Sequence, residues 1–119
     1  MKKNIIILGA QGFIGINLIK FLLKKNLNVI GVGNNSFKKN FLDTLNCKFI
    51  SCNIFDRKLY DKYLNVNSTI IFLASKENKN FIVRFINLIN HVKKKKIKKF
   101  IFVASASIYG NNKIIKNEN

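Results

Sequence analysis

The segment Gly9-Ala10-Gln11-Gly12-Phe13-Ile14-Gly15 stands between the apolar run Ile5-Ile6-Ile7-Leu8 and a stretch with Ile14, Leu18, Phe21 and Leu22 at helical spacing. A G-x-x-G-x-x-G pattern in that setting predicts a strand, a tight turn and a helix that together hold a dinucleotide pyrophosphate. Glycine serves there because the chain must leave the strand sharply, bring bare backbone up to the anion and pack the helix tightly on the sheet. The helix beginning near Gly12 turns its unpaired N–H groups and the positive end of its dipole toward the same place.

Beyond this unit, short β-branched runs alternate with longer helical patterns. Strands are expected near Lys3 to Leu8, Asn28 to Val32, Lys48 to Ser51, Thr69 to Leu73 and Lys99 to Ala104. The last connecting helix carries Phe81, Ile82, Phe85, Ile86, Ile89 and Val92, and shorter helices are read over Phe37 to Asn46 and Asp56 to Leu64, with Asp56 as an N-cap. Continuous apolar strands joined by right-handed crossovers give an α/β, doubly wound parallel sheet covered on both faces. The expected strand order is 3-2-1-4-5, with the glycine loop at the topological switch point and the ligand at the carboxyl ends of the strands.

At 119 residues and 48% hydrophobic content the chain has the size and composition of a single folded domain, read as residues 1–110 with a polar tail over 111–119. Its net charge of +17 invites a nucleic-acid reading. The lysines are spread through the whole chain, however, and the dense run Lys93-Lys94-Lys95-Lys96 with Lys98-Lys99 falls where a helix ends and a strand begins, where cations favour the helix terminus. No aromatic-interleaved basic platform accompanies it, so no dedicated nucleic-acid role is expected. Cys47 and Cys52 read as reduced thiols without a metal or catalytic role, and His91 as a solvated surface residue. The apolar start is interrupted by Gly9, Gln11, Gly12, Gly15 and Asn17, which argues against a membrane anchor and for a cytoplasmic protein.

Several motifs agree with one family. The glycine loop, Val29-Ile30-Gly31-Val32-Gly33-Asn34, Asn53-Ile54, Ile70-Ile71-Phe72-Leu73-Ala74 and Phe100-Ile101-Phe102-Val103-Ala104-Ser105-Ala106-Ser107-Ile108-Tyr109-Gly110 follow in order. Together they resemble the NAD-dependent epimerase/dehydratase family of extended short-chain dehydrogenase/reductases, which includes UDP-glucose 4-epimerase. The resemblance covers that family's Rossmann-type cofactor-binding part and stops short of its catalytic helix. It implies that Gly9, Gly12 and Gly15 cradle the pyrophosphate of NAD or NADP, with Phe13 and Ile14 entering the helix over it. It further implies that Asn53 and the Ile54 N–H meet the adenine edge, that Ala74 leaves room beside the cofactor, and that Ser105 hydrogen-bonds the reacting sugar oxygen.

The departures from the family pattern bear on function. Gly33 and Asn34 stand where an acidic residue commonly binds the ribose hydroxyls, which leaves NADP as open as NAD. Phe72 replaces a frequent histidine, and Arg84 and Phe85 replace small residues early in the last helix. The family's Y-x-x-x-K helix has no counterpart: Tyr109-Gly110-Asn111-Asn112-Lys113 fits the letters, but Gly-Asn-Asn favours a turn. The leading reading is the NAD(P)-binding portion of a sugar-nucleotide epimerase/dehydratase, catalytic only when completed by further chain that also holds the nucleotide sugar. Its alternatives are a nucleotide-binding module without catalysis and a basic RNA- or polyanion-binding protein.

Overall fold

A computed structural model describes residues 3–10, 12–34, 47–73 and 80–103. The strands are β1 (Asn4–Leu8), β2 (Asn28–Gly33), β3 (Lys48–Ser51), β4 (Thr69–Phe72) and β5 (Lys99–Phe102), and the helices are α1 (Phe13–Lys24) and α2 (Phe81–Lys94). All ladders are parallel and the order is β3-β2-β1-β4-β5, as the alternating pattern predicts. The expected helix over Phe37 to Asn46 and the tail over 111–119 lie outside the described residues.

The period-two alternation of the strands sorts side chains between two cores. Ile7, Val29, Phe49 and Ile71 pack with Ile19 of α1 on one face. Ile6, Leu8, Ile30, Val32, Ile70 and Phe72 pack on the other, against Leu88 and Val92 of α2. Strands buried on both faces read as unbroken apolar runs, which is why Ile5 to Leu8 and Ile70 to Phe72 contain no polar residue.

Phe72, fully buried at the end of β4, is the hub of the second core. Its ring lies 5.1 Å from that of Phe85, 5.7 Å from Phe102, 6.1 Å from Phe55 and Phe81, and 6.2 Å from Phe100. A histidine there would have to bury a polar ring nitrogen among phenylalanines.

One expected element takes another form. The segment Asp56 to Leu64 is not an α-helix but two 3-10 turns, Arg57–Leu59 and Asp61–Tyr63, and the Asp56 side chain makes no capping hydrogen bond. Tyr60 decides this: it is fully buried and its hydroxyl donates to the Ile54 carbonyl. Leu64 is buried with it, and that apolar spacing docks tightened turns onto the sheet rather than one stripe of a regular helix.

Candidate functional site

The carboxyl ends of the strands finish at one level. Gly9 and Ala10 both donate to the Val32 carbonyl, at 2.9 and 3.1 Å. Cys52 donates to Gly33 at 2.8 Å, Leu73 to Leu8 at 2.8 Å and Val103 to Phe72 at 3.0 Å. These bonds extend the ladders past the strands and build a shared rim, on which the glycine loop lies at the centre, after β1.

Along this loop the glycines serve separate needs. Gly9 has φ of 88°, a left-handed conformation that side chains avoid. A Cβ on Gly15 would stand 2.5 Å from the Ala10 carbonyl oxygen and 2.8 Å from its Cα, so Gly15 allows the first turn of α1 to touch the loop. A Cβ on Gly12 would meet nothing within 4 Å. Neither backbone strain nor internal packing requires a glycine at Gly12; the bare backbone there faces open space at a helix N-terminus.

That helix end is free of competitors for an anion. Gly12 is the N-cap of α1, no side chain caps it, and its first turn contains no acidic residue. The first intrahelical bond runs from the Ile16 N–H to the Gly12 carbonyl at 3.0 Å, so the N–H groups of Phe13, Ile14 and Gly15 have no acceptor within the helix. Phe13 is 83% exposed and Ile14 58%, which sets apolar surface beside those donors. The loop therefore fits a pyrophosphate: orphan donors, dipole and access coincide.

The motif reading passed over Gly31 in β2. A Cβ there would come within 3.1 Å of Ala10 Cβ and 3.2 Å of Phe49 Cδ1, so its bare backbone seats the loop on the sheet. A glycine inside an otherwise β-branched strand is the signal that marks such a close approach.

On the β3 side of the rim, Asn53 is exposed and its side-chain oxygen accepts the Phe55 N–H at 2.9 Å, an Asx turn, while its backbone carbonyl accepts the Asp56 N–H at 2.8 Å. Turn formation uses one lone pair of the side-chain oxygen and leaves the other, with the amide N–H groups, for a ligand. Half-buried Ile54 is held by its carbonyl through Tyr60. Beside them lies a cleft of about 420 Å³ lined by Asn53, Phe55, Asp56, Arg57, Arg84 and Asn87. Both arginines of the chain border it, and Arg57 Nη1 donates to the Asn87 carbonyl at 3.3 Å. Asn34 is exposed immediately after β2. Ala74 and Ser105, with Tyr109 and Lys113, lie outside the described residues.

Polar chemistry away from the rim is structural. His91 is not the solvated residue expected: it is half-buried and its Nε2 pairs with Asp61 Oδ1, while Lys95 Nζ sits 3.0 Å from Asp61 Oδ2. Partial burial pushes the Asp61 carboxyl up, but the hydrogen bonds and charges of His91 and Lys95 prevail and hold it below its usual range. Sequence spacing gave no hint of this cluster, because Asp61 and His91 come together only through the docking of α2 on the 3-10 turns. Cys47 and Cys52 are buried free thiols, and burial, then the nearby Asp56 charge, pushes the Cys52 thiol up. Among the described residues no group of three or more His, Cys, Asp or Glu side chains could hold a metal, and no helix is long and apolar enough to cross a membrane.

Residues 5–119 match the NAD dependent epimerase/dehydratase family. The chain belongs to that family. Among curated proteins it is 30% identical over 138 residues to a dTDP-D-glucose 4,6-dehydratase of Dictyostelium discoideum, covering 98% of this chain and 32% of that one. Among solved structures it is similar to ChuY, an anaerobillin reductase of Escherichia coli O157:H7, with a TM-score of 0.72 and 16% identity over 86% of this chain and 50% of that one. Pen of Bacillus thuringiensis gives a TM-score of 0.67 and 17% identity over 83% of this chain and 37% of that one. These structures share the fold. The chain thus spans about a third of its curated relative and half or less of the two solved structures. Family membership brings NAD(P) dependence to the glycine loop.

Proposed function

We propose that this chain is the dinucleotide-binding portion of a sugar-nucleotide epimerase/dehydratase. The observation that carries the reading is the division of labour in the loop: Gly9 is required by φ, Gly15 by packing, and Gly12 by nothing internal. A ligand explains the third glycine. In this reading the backbone of Gly9, Gly12, Phe13, Ile14 and Gly15 holds the pyrophosphate, and Asn53 and Ile54 meet the adenine edge at the mouth of the arginine-bordered cleft. Ala74 stands beside the nicotinamide half.

The end of β2 offers Asn34 and no carboxylate, so nothing on that turn repels a 2′-phosphate, and NADP and NAD are both admitted. When bound, the nicotinamide supplies transient hydride chemistry; the protein's share is to bind, orient and exclude water. Ser105 is assigned the hydroxyl that donates to the reacting sugar oxygen, a role that needs the rest of a catalytic centre.

Calorimetric titration with NAD and with NADP at physiological salt, where lysine-driven background attraction is screened, tests this. Saturable one-to-one binding of either supports the reading. Absence of heat with both, in protein shown by circular dichroism to be folded, refutes it and leaves a family remnant without a working site.

A further inference from the structure

The sheet ends at β5 without the cover that its sequence anticipates. β5 pairs only with β4 among the described residues, yet Phe100, Ile101 and Phe102 make it apolar toward both faces, the composition of an interior strand. Phe102 remains 42% and Ile101 38% exposed. Beside this edge, α2 carries a second apolar stripe besides the one it buries: Ile82 is 69% and Ile86 51% exposed, and Ile89 continues the stripe one turn on. The stripe runs into a groove of about 330 Å³ between the end of α2 and the start of β5, floored by Ile89, Val92, Ile97 and Phe100. Lys93, Lys96, Lys98 and Lys99 rim it.

We infer that this groove and stripe seat an amphipathic helix with acidic flanks, supplied by a partner polypeptide. The apolar stripe and floor call for a helix with residues at i, i+4 and i+7, and the lysine rim fixes the charge of its flanks. A second copy of this chain does not satisfy the rim: an isologous contact would set those lysines against their own equivalents, in a molecule of net charge +17. Residues 104–119 do not satisfy it either, since they offer Lys113 and Lys116 against the single acid Glu118. Like charges brought together at a desolvated rim oppose association, whereas carboxylates there gain rate and register. The inference goes beyond the cofactor reading and does not depend on it.

The test uses a fluorescently labelled 18-residue peptide with leucines on one helical stripe and glutamates elsewhere, at physiological salt, followed by anisotropy. Controls are a scrambled peptide of the same composition and a peptide with lysines in place of the glutamates. Saturable binding of the first peptide alone is expected, with Kd raised at least tenfold by Ile86→Lys or Ile82→Lys. Both sites are exposed, and melting curves verify that each variant folds. Lys96→Glu with Lys99→Glu should move the preference to the lysine peptide. Equal binding of the scrambled peptide, no binding of any peptide, an unchanged preference after charge reversal, or a dimer in sedimentation that the peptide disperses would each overturn the inference. Dinucleotide titration of the same variants should be unaffected, which keeps failure here distinct from failure of the cofactor reading.

Discussion

Adding one methyl group at Gly12 and at Gly15 should produce opposite phenotypes, because the surroundings of the two positions differ. At Gly15 the new Cβ would lie 2.5, 2.7 and 2.8 Å from the oxygen, carbon and Cα of Ala10, all backbone atoms that no rotamer change can move aside. Relief requires α1 to shift outward by close to an ångström, and overpacking of that kind costs about 1–3 kcal/mol. Alanine inside a helix recovers up to about 1 kcal/mol over glycine, so Gly15→Ala should destabilise by about 1–2 kcal/mol. In a chain of this size each kcal/mol lowers Tm by about 4 °C. At Gly12, φ of −76° and ψ of 173° suit any residue and the Cβ meets nothing, so Gly12→Ala should change stability by no more than about 0.5 kcal/mol. Gly12→Val should be nearly as mild for the fold, yet intrude where the pyrophosphate must approach and weaken dinucleotide binding at least tenfold. Urea denaturation measures the first effect and calorimetric titration the second. A stable Gly15→Ala, or a Gly12→Val with unchanged affinity, would refute the assignment of packing to one glycine and ligand access to the other.

Three further outcomes follow from the cores. Phe72→Ala removes the ring shared by both ends of the aromatic cluster and should cost about 3–5 kcal/mol in chemical denaturation. Tyr60→Phe keeps the shape but deprives the Ile54 carbonyl of its buried donor, for about 1–2 kcal/mol. The Tyr60 phenol is raised well above its ordinary 10, first by burial, so ionisation of the unfolded chain should erode stability as pH rises past 10, and Tyr60→Phe should flatten that alkaline limb. Asp61 has the opposite sign: its folded value is depressed, so its contribution is full above the ordinary 3.8 and fades as pH falls through the folded value. As the group is one-third exposed, Asp61→Asn should cost no more than about 1 kcal/mol at neutral pH and reduce the acid-side slope of stability against pH.

How much was legible depended on whether a signal was local. The strand order, the placement of β1 to β5 and the start of α1 followed from unbroken apolar runs and glycine spacing, since both are set by the immediate backbone. The Asp56 to Leu64 segment was misread because Tyr60 is positioned by its reach to Ile54 and by the sheet beneath, contacts that no periodicity encodes. His91 was misread for the same reason: its partner lies thirty residues away in sequence. Asn53 was anticipated as a ligand contact or a turn former, and the turn is present, with capacity left over for the contact. Gly31 was visible as an interrupted strand, but its neighbours Ala10 and Phe49 are brought to it only by the parallel pairing of β2 with β1 and β3.

The Val32 carbonyl accepts from both Gly9 and Ala10. A single oxygen thereby clamps the glycine loop to the outgoing end of β2, two residues before Asn34. The loop cannot slide along the sheet without breaking both bonds, so the span from the helix N-terminus to the Asn34 turn behaves as a fixed gauge rather than an adjustable grip. Discrimination between cofactors then falls to what stands at the far end of the gauge. A carboxylate grafted at Gly33 or Asn34 should reset that choice without retuning the phosphate site.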